Sequence, residues 1–329
     1  MACFGLWHVA RDRADDMILT QNLRRNEQLG KKMKLILSLF IFLLTTTLFA
    51  AGETGLAVLR VGVGARAAAM GEAFTATADD ASGLYWNPAG SAWMQKRQAH
   101  FSHNSWIQGM HHNVAALTMP TEIGSFGIGI LLNSIDGFER RTIASEEPSG
   151  TFSAYDFSLS MNYARQLSNS LSLGINLKFF NEKIYIEDAN GYMIDLGARF
   201  LTPMNGLYVA AALQNLGFTT EMLHEKIRLP QTLRLGAAYQ VPLSWLKDRV
   251  LLAADYAQVF DESSHVNVGI ELAPIDALAL RTGYQTGFTD RGVSAGFGLH
   301  MNWLDIDYAY LPFGRDLGDS HRFSLTTTF

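Results

Sequence analysis

From about Gln98 to Phe329, apolar and polar residues alternate with a period of two, in segments of about ten residues separated by turn formers. Phe157, Leu159, Met161 and Tyr163 interleave with Asp156, Ser158, Ser160 and Asn162; Val266, Val268, Ile270 and Leu272 interleave with Asn267, Gly269 and Glu271. In a strand the two sets face opposite sides of the sheet. About fourteen such segments can be placed, at 97–106, 110–119, 124–134, 152–166, 170–182, 191–201, 206–216, 230–241, 249–260, 264–273, 277–286, 291–301, 303–312 and 320–329. Their length decides the fold class. Strands of a soluble sandwich average about 5–6 residues, whereas a tilted strand that crosses a membrane needs about 9–11. The pattern predicts an all-β fold, an antiparallel transmembrane β-barrel of about fourteen strands over 96–329.

An even strand number returns the chain to the side it entered, and outer-membrane barrels carry short periplasmic turns and longer outer loops. With entry from the periplasm, connections 135–151, 181–190, 217–229 and 312–320 fall outside, and these are the long ones. Connections 120–123, 167–169, 202–205 and 274–276 fall inside and are short; 242–248 is a longer exception. Lys178, Arg199, Arg234, Asp255, Glu271, Arg281 and Asp305 lie in the polar sets. A charge facing lipid near the midplane costs about 2–4 kcal/mol, so these side chains are expected to face the lumen. Trp106, Tyr185, Tyr256, Phe260, Trp303 and Tyr310, near segment ends, suit the interfacial girdles. The last segment, Arg322 to Phe329, alternates and ends in an aromatic. Phe329 thereby resembles the terminal signal read by the barrel-assembly machinery.

Only 17% of the residues are charged against 48% hydrophobic, whereas about 25% charged is usual for a soluble domain. The formal net charge of −5 offers no basic surplus for phosphates, which excludes nucleic acid as a partner. Lys31, Lys32 and Lys34, the apolar run 35–49 and the small residues Ala50, Ala51 and Gly52 have the three-part build of a secretory signal. The run of about 15 residues is short of the roughly 20 that a spanning helix needs. The expected organisation is therefore 1–32, an extension upstream of the natural start at Met33; 33–52, a cleaved signal peptide; 53–95, a plug; and 96–329, a barrel in the bacterial outer membrane. The single cysteine, Cys3, precedes the signal, so the mature body is expected to contain neither disulfides nor cysteine metal sites.

Motifs that would carry chemistry fail on context. Gly62-x-Gly64-x-x-Ala67 fits a loose dinucleotide fingerprint, yet no βαβ unit follows. Gly292-Val293-Ser294-Ala295-Gly296 fits a nucleophile elbow, which needs a strand-to-helix turn, but Ser294 lies within an alternating strand and is expected to face the lumen. His100, His103, His111 and His112 cluster on the first two strands and their connection, with 111 and 112 pointing oppositely, so polar wall and loop positions are favoured over a metal site. Asp79 and Asp80 point apart in an extended chain, which favours helix capping over metal or acid–base work. No enzymatic constellation, metal or cofactor is expected.

The stretch Gly64 to Gly90, GARAAAMGEAFTATADDASGLYWNPAG, has no strand period and resembles the amino-terminal signature of the PorV/PorQ family of outer-membrane proteins. Its Asp79-Asp80-Ala81-Ser82 and Asn87-Pro88-Ala89-Gly90 portions are also similar to the broader FadL-like barrels. The resemblance implies a fourteen-stranded barrel with an amino-terminal hatch folded into the lumen, whose signature residues are Asp79, Asp80, Trp86, Asn87, Pro88, Ala89 and Gly90. Ala and Gly suit close packing there, Pro88 fixes a turn, and Trp86 anchors the segment. A PorV/PorQ relative would be a type IX secretion-related component, docking secretion-system proteins or exported cargo through loops 135–151 and 217–229. A FadL-like relative would be a passive channel for hydrophobic small molecules, with the hatch around 87–89 moving. A polar, closed lumen with projecting loops favours the first; an apolar pocket beside the hatch with an opening in the wall favours the second. The inward sets are polar and rich in Gly, a mild point for the first. In either case the immediate surroundings are outer-membrane lipids and, during biogenesis, the assembly machinery.

Overall fold

The computed structural model describes residues 55–141, 146–222, 225–242, 249–260, 262, 264–315 and 318–329. The expected extension and signal peptide, 1–52, lie outside them. Fourteen antiparallel strands close into a barrel: β1 (Gln98–Ser105), β2 (His111–Thr121), β3 (Gly124–Arg140), β4 (Gly150–Gln166), β5 (Leu171–Ile184), β6 (Glu187–Leu201), β7 (Leu207–Thr219), β8 (Thr232–Val241), β9 (Val250–Val259), β10 (Ser264–Ile275), β11 (Leu278–Gln285), β12 (Val293–His300), β13 (Leu304–Pro312) and β14 (Asp319–Thr328). Each pairs with its chain neighbours, and β14 returns to β1 from Gln98 opposite Thr328 to Ser105 opposite His321. Closure gives each strand a neighbour on both sides, as a lipid environment demands.

The period-two pattern sorts as an inside-out protein. Ile128, Leu132, Met161, Leu177 and Ile194 are exposed on the outer face, while Ser158, Ser160, Asn162 and Asn176 are buried within. Phe157, Phe179, Tyr192 and Phe218 form a row of rings toward the end that carries the longer loops. Phe126 and Tyr163 pair at the opposite end, 5.1 Å apart. Between Tyr192 and Phe200 the outward set covers about nine residues, the span of a tilted membrane strand.

Two connections that the sequence marks as outer loops, 135–151 and 181–190, are in large part strand among the described residues. β3 and β4 stay paired out to Phe138 opposite Phe152 and Arg140 opposite Gly150. β5 and β6 stay paired to Ile184 opposite Glu187, turning through Tyr185 at φ 58°. Beyond the aromatic row lipid no longer requires apolar side chains, so the alternation fades while cross-strand contacts persist. Phe138 stacks on Phe152 at 5.2 Å, and Asn181 Nδ2 donates to Asn190 Oδ1 at 3.1 Å. The β3–β6 side of the wall therefore projects as continuous sheet. Within 217–229, β7 runs to Thr219 and is followed by a two-residue ladder, Glu221–Met222 with Glu225–Lys226.

The wall has one discontinuity of consequence. β8 joins β7 only as far as Thr232 opposite Gln214, although β7 continues to Thr219. At that point Asn215, at φ 59°, forms a bulge opposite Asp195, where the β6–β7 register shifts.

The segment before β1 folds into the lumen as a hatch. It comprises short 3₁₀ turns at Ala57–Arg60, Ala81–Tyr85 and Gly90–Trp93 and one helical turn, α1 (Ala65–Ala69). Ala65, Ala68, Ala69, Ala73, Ala78, Ala81 and Ala89 are fully buried. Small side chains let hatch backbone approach wall backbone: a Cβ at Gly283 of β11 would fall on the Met70–Gly71 backbone, and one at Gly174 of β5 on Pro88.

Candidate functional site

The hatch signature meets the wall through specific bonds. Asp80 caps the Ala81–Tyr85 turn, accepting from Ser82 N at 2.8 Å, while Asp79 pairs with Arg66 at 2.5 Å. Trp86 is buried, its Nε1 donating to Val63 O at 2.9 Å, its ring edge-on to Phe74 and beneath the Arg234 guanidinium at 4.9 Å. Asn87 Nδ2 donates to Thr75 O at 3.1 Å and Ala198 O at 3.2 Å, and its Oδ1 accepts from Ala89 N at 3.0 Å. Pro88 O accepts from Asn162 Nδ2 at 3.2 Å, and Ala89 O from Ser172 Oγ at 3.1 Å. Gly90 is buried so tightly that a Cβ there would strike Ala78 O.

The lumenal charges Lys178, Asp255, Glu271 and Arg281 are held by ion pairs or hydrogen bonds. Glu271 accepts from Arg66 Nε at 2.8 Å and from Arg281 Nε at 2.6 Å, and Arg281 also reaches Asp307 at 2.5 Å. Asp255 Oδ2 accepts from Phe74 N at 3.0 Å, Thr75 N at 2.8 Å and Thr75 Oγ1 at 2.6 Å. Lys178 bridges Asp195 at 2.8 Å and Asn215 Oδ1 at 2.6 Å, which pins the β6–β7 bulge. Arg199 lies over the rings of Tyr208 at 4.9 Å and Trp93 at 5.8 Å. Phe329 follows β14, exposed, its N–H donating to Arg97 O at 3.0 Å at the short-turn rim.

The lumen also holds an apolar cluster. Leu56, Val58 and Val63 of the hatch pack among Val114, Leu131, Phe180, Met193 and Leu229, with Ile227 alongside. Ile227 and Leu229 also line a cavity of about 480 Å³ at the β7–β8 discontinuity, together with Phe218 and Phe260. The gap in the wall and the apolar interior thus share residues. One backbone bond, Gly55 N to Arg228 O at 3.1 Å, ties the start of the described hatch to this rim.

A vestibule of about 490 Å³ lies at the outer end above the hatch, bordered by Ala57 to Val61 of the hatch. Its floor includes Glu72 and Arg234; its walls include Trp106, His265, Asn267, Phe288, Arg291 and Phe313. Trp106, a girdle candidate by its place at a segment end, instead turns inward beneath the Arg322 guanidinium at 4.9 Å and packs on Phe313 at 5.0 Å. Position at the end of a strand does not specify which face the side chain takes.

The other motifs resolve into packing. Ser294 Oγ accepts from Gly71 N at 3.0 Å and donates to Ala69 O at 3.2 Å. His112 is buried inward and His111 exposed outward, where it stacks on His103 at 5.8 Å. Among the described residues no group of three His, Cys, Asp or Glu side chains is arranged to hold a metal ion. Sequence reasoning passed over Glu72, Asp195, Arg291, Asp307 and Arg322 as site residues. Asp195 and Asp307 carried a readable signal, since each sits between two outward apolar residues of a strand.

Closed wall, inside-out faces and an internal hatch define an outer-membrane-type barrel of the FadL-like fold. Its nearer structural likenesses include the Pseudomonas putida toluene transporter TodX, with TM-score 0.57, 14% identity and coverage of 86% of this chain and 98% of that one. A FadL homologue of Pseudomonas aeruginosa is similar at TM-score 0.56 and 13% identity, over 86% of this chain and 99% of that one. Residues 47–186, which include the hatch and β1 to β5, match the model of an uncharacterised protein family, UPF0164. No curated protein matches the sequence.

Proposed function

We propose that the protein is a non-enzymatic, passive channel that admits hydrophobic small molecules through the outer membrane, with hatch residues 55–63 as its gate. The observation that carries this reading is the shared apolar lining: Phe218 and Phe260 at the wall gap, Ile227 and Leu229 behind them, and Leu56 and Val58 plugging the interior. A hydrophobic solute that displaces Leu56 and Val58 exchanges one apolar burial for another, so the apolar part of opening carries little net cost. The Arg60–Glu262 pair and the Trp86 bond to Val63 O are what hold the gate shut. The FadL-like fold, shared with a toluene transporter, supports the same reading.

A disulfide tests it. A Cβ at Gly55 would lie 3.6 Å from Ile227 Cβ, within the range a disulfide accepts. In liposomes containing Gly55→Cys/Ile227→Cys protein, toluene uptake should fall in the oxidised state and return on reduction. Equal uptake in both states would reject the gate.

A second reading is favoured by the projecting β3–β6 sheet, which presents Phe138 and Tyr185 to solvent. In that reading the sheet docks type IX secretion proteins or their cargo. Purification from native outer membranes should then recover such proteins with the wild type and lose them with Phe138→Ser/Tyr185→Ser.

A further inference from the structure

We propose that the outer vestibule is a binding site for a small aromatic carboxylate. This deepens the channel reading and rests on it for the role of the site, though not for the binding itself. The charge count at the vestibule is unbalanced. Arg60 pairs with Glu262, Asp290 with Arg315 at 3.0 Å, and Glu72 with Arg322 at 3.5 Å. Arg234 and Arg291 form no ion pair among the described residues. Arg234 Nη1 is buried without a hydrogen-bond partner, its Nε alone being used, by Gln214 Oε1 at 2.9 Å. Two guanidinium groups therefore face a cavity with Glu72 as the nearest anion. Unpaired buried charge is costly, and an entering anion relieves that cost.

The geometry around the cations selects the rest of the ligand. The Arg291 guanidinium lies 3.8 Å from the Phe288 ring centre and 5.8 Å from that of Trp106. His265 stacks on the other side of Phe288 at 4.0 Å and 12°. The rim is held in place by a backbone bridge between Arg291 and Phe313 and by Gly314 N donating to Asp290 O at 2.6 Å. A planar carboxylate matches the guanidinium fork, and a ring attached to it would lie among Ile107, Met110 and Phe313, which line the same cavity. A space of about 490 Å³ suits one or two rings rather than a long chain, being in the lower half of the usual pocket range.

Isothermal titration of the purified protein with benzoate, its neutral isostere benzamide, and acetate separates the contributions. Benzoate should bind, with benzamide and acetate each weaker by about tenfold or more, the loss expected when one charged hydrogen bond or one ring contact is missing. Arg291→Gln should weaken benzoate by a similar factor and leave benzamide unchanged. Glu72→Gln, which removes the competing anion, should tighten benzoate, a gain that a misfolded protein cannot give. Benzamide binding as well as benzoate, or benzoate affinity indifferent to both substitutions, would overturn the site. Toluene uptake indifferent to the Gly55–Ile227 cross-link, with benzoate selectivity intact, would instead remove the gate and leave the site standing.

Discussion

The hatch is held by two unlike surfaces. Along β9–β14 it is fastened by directional polar bonds: Arg66 to Glu271, Phe74 and Thr75 to Asp255, Gly71 to Ser294, Ala65 N to Ser324 Oγ at 2.8 Å. Along β2–β6 its first described residues are held by apolar contact around Leu56, Val58 and Val63, although farther along Asn87, Pro88 and Ala89 bond to β4–β6. Directional pairs in a buried setting have no substitute, and breaking one leaves a charge or donor without a partner. Apolar contact accepts any apolar replacement. A plug built this way can release one edge to a hydrophobic solute while the other edge stays seated, so the lumen need not open as a wide aqueous pore.

The largest effect is expected on the polar edge. Glu271→Gln removes the charge shared by Arg66 and Arg281, the latter fully buried, and breaking a buried pair of this kind costs about 3–5 kcal/mol. Hydrogen exchange across 64–91 should rise, and planar bilayers should show new ion conductance. Leu56→Ala deletes packing on the other edge, at about 2–5 kcal/mol for a core truncation. Exchange should then rise over 55–63 alone, with no added conductance. If Leu56→Ala also made the barrel conduct ions, the two edges would not be independent and the comparison would fail.

The barrel was legible because each strand must answer to lipid on one face, a constraint renewed every second residue from Phe157 to Tyr163 and again along β10. Outside the lipid the constraint ends, which is why the paired extensions around Phe138, Phe152 and Asn181 read as loops. The lumenal charges Lys178, Glu271 and Arg281 could be assigned inward from the cost of exposing them to lipid, but their partners could not. Asp195 reaches Lys178 across the β5–β6 hairpin, Asp307 reaches Arg281 from beyond β12, and Arg66 reaches Glu271 from the hatch, so strand register and hatch insertion bring them together. The vestibule was the least legible part: Arg291 and Phe288 lie between β11 and β12, where no periodicity operates, and Trp106 turns inward from a segment end.

The smallest effect concerns the acid side of the polar edge. Glu72 sits in the hatch at φ 62°, an uncommon conformation for a residue with a side chain, and pairs with Arg322. Burial works to raise its carboxyl, but Arg291, Arg322 and Arg234 outweigh it and hold the group below the ordinary carboxylate range. A carboxyl depressed in the folded state contributes stability that is present above its unfolded value of about 4.3 and is lost as the pH falls through the folded value. Hatch protection near Glu72, followed by hydrogen exchange corrected for the intrinsic pH dependence, should therefore hold at neutral pH and decline below about pH 4. Glu72→Gln should lower protection at neutral pH and flatten that decline, while leaving the contribution of Asp255 and Glu271 in place. An unaltered acid profile in Glu72→Gln would mean that the arginines around the vestibule are balanced by other groups, and the polar edge would then rest on Glu271 and Asp255 alone.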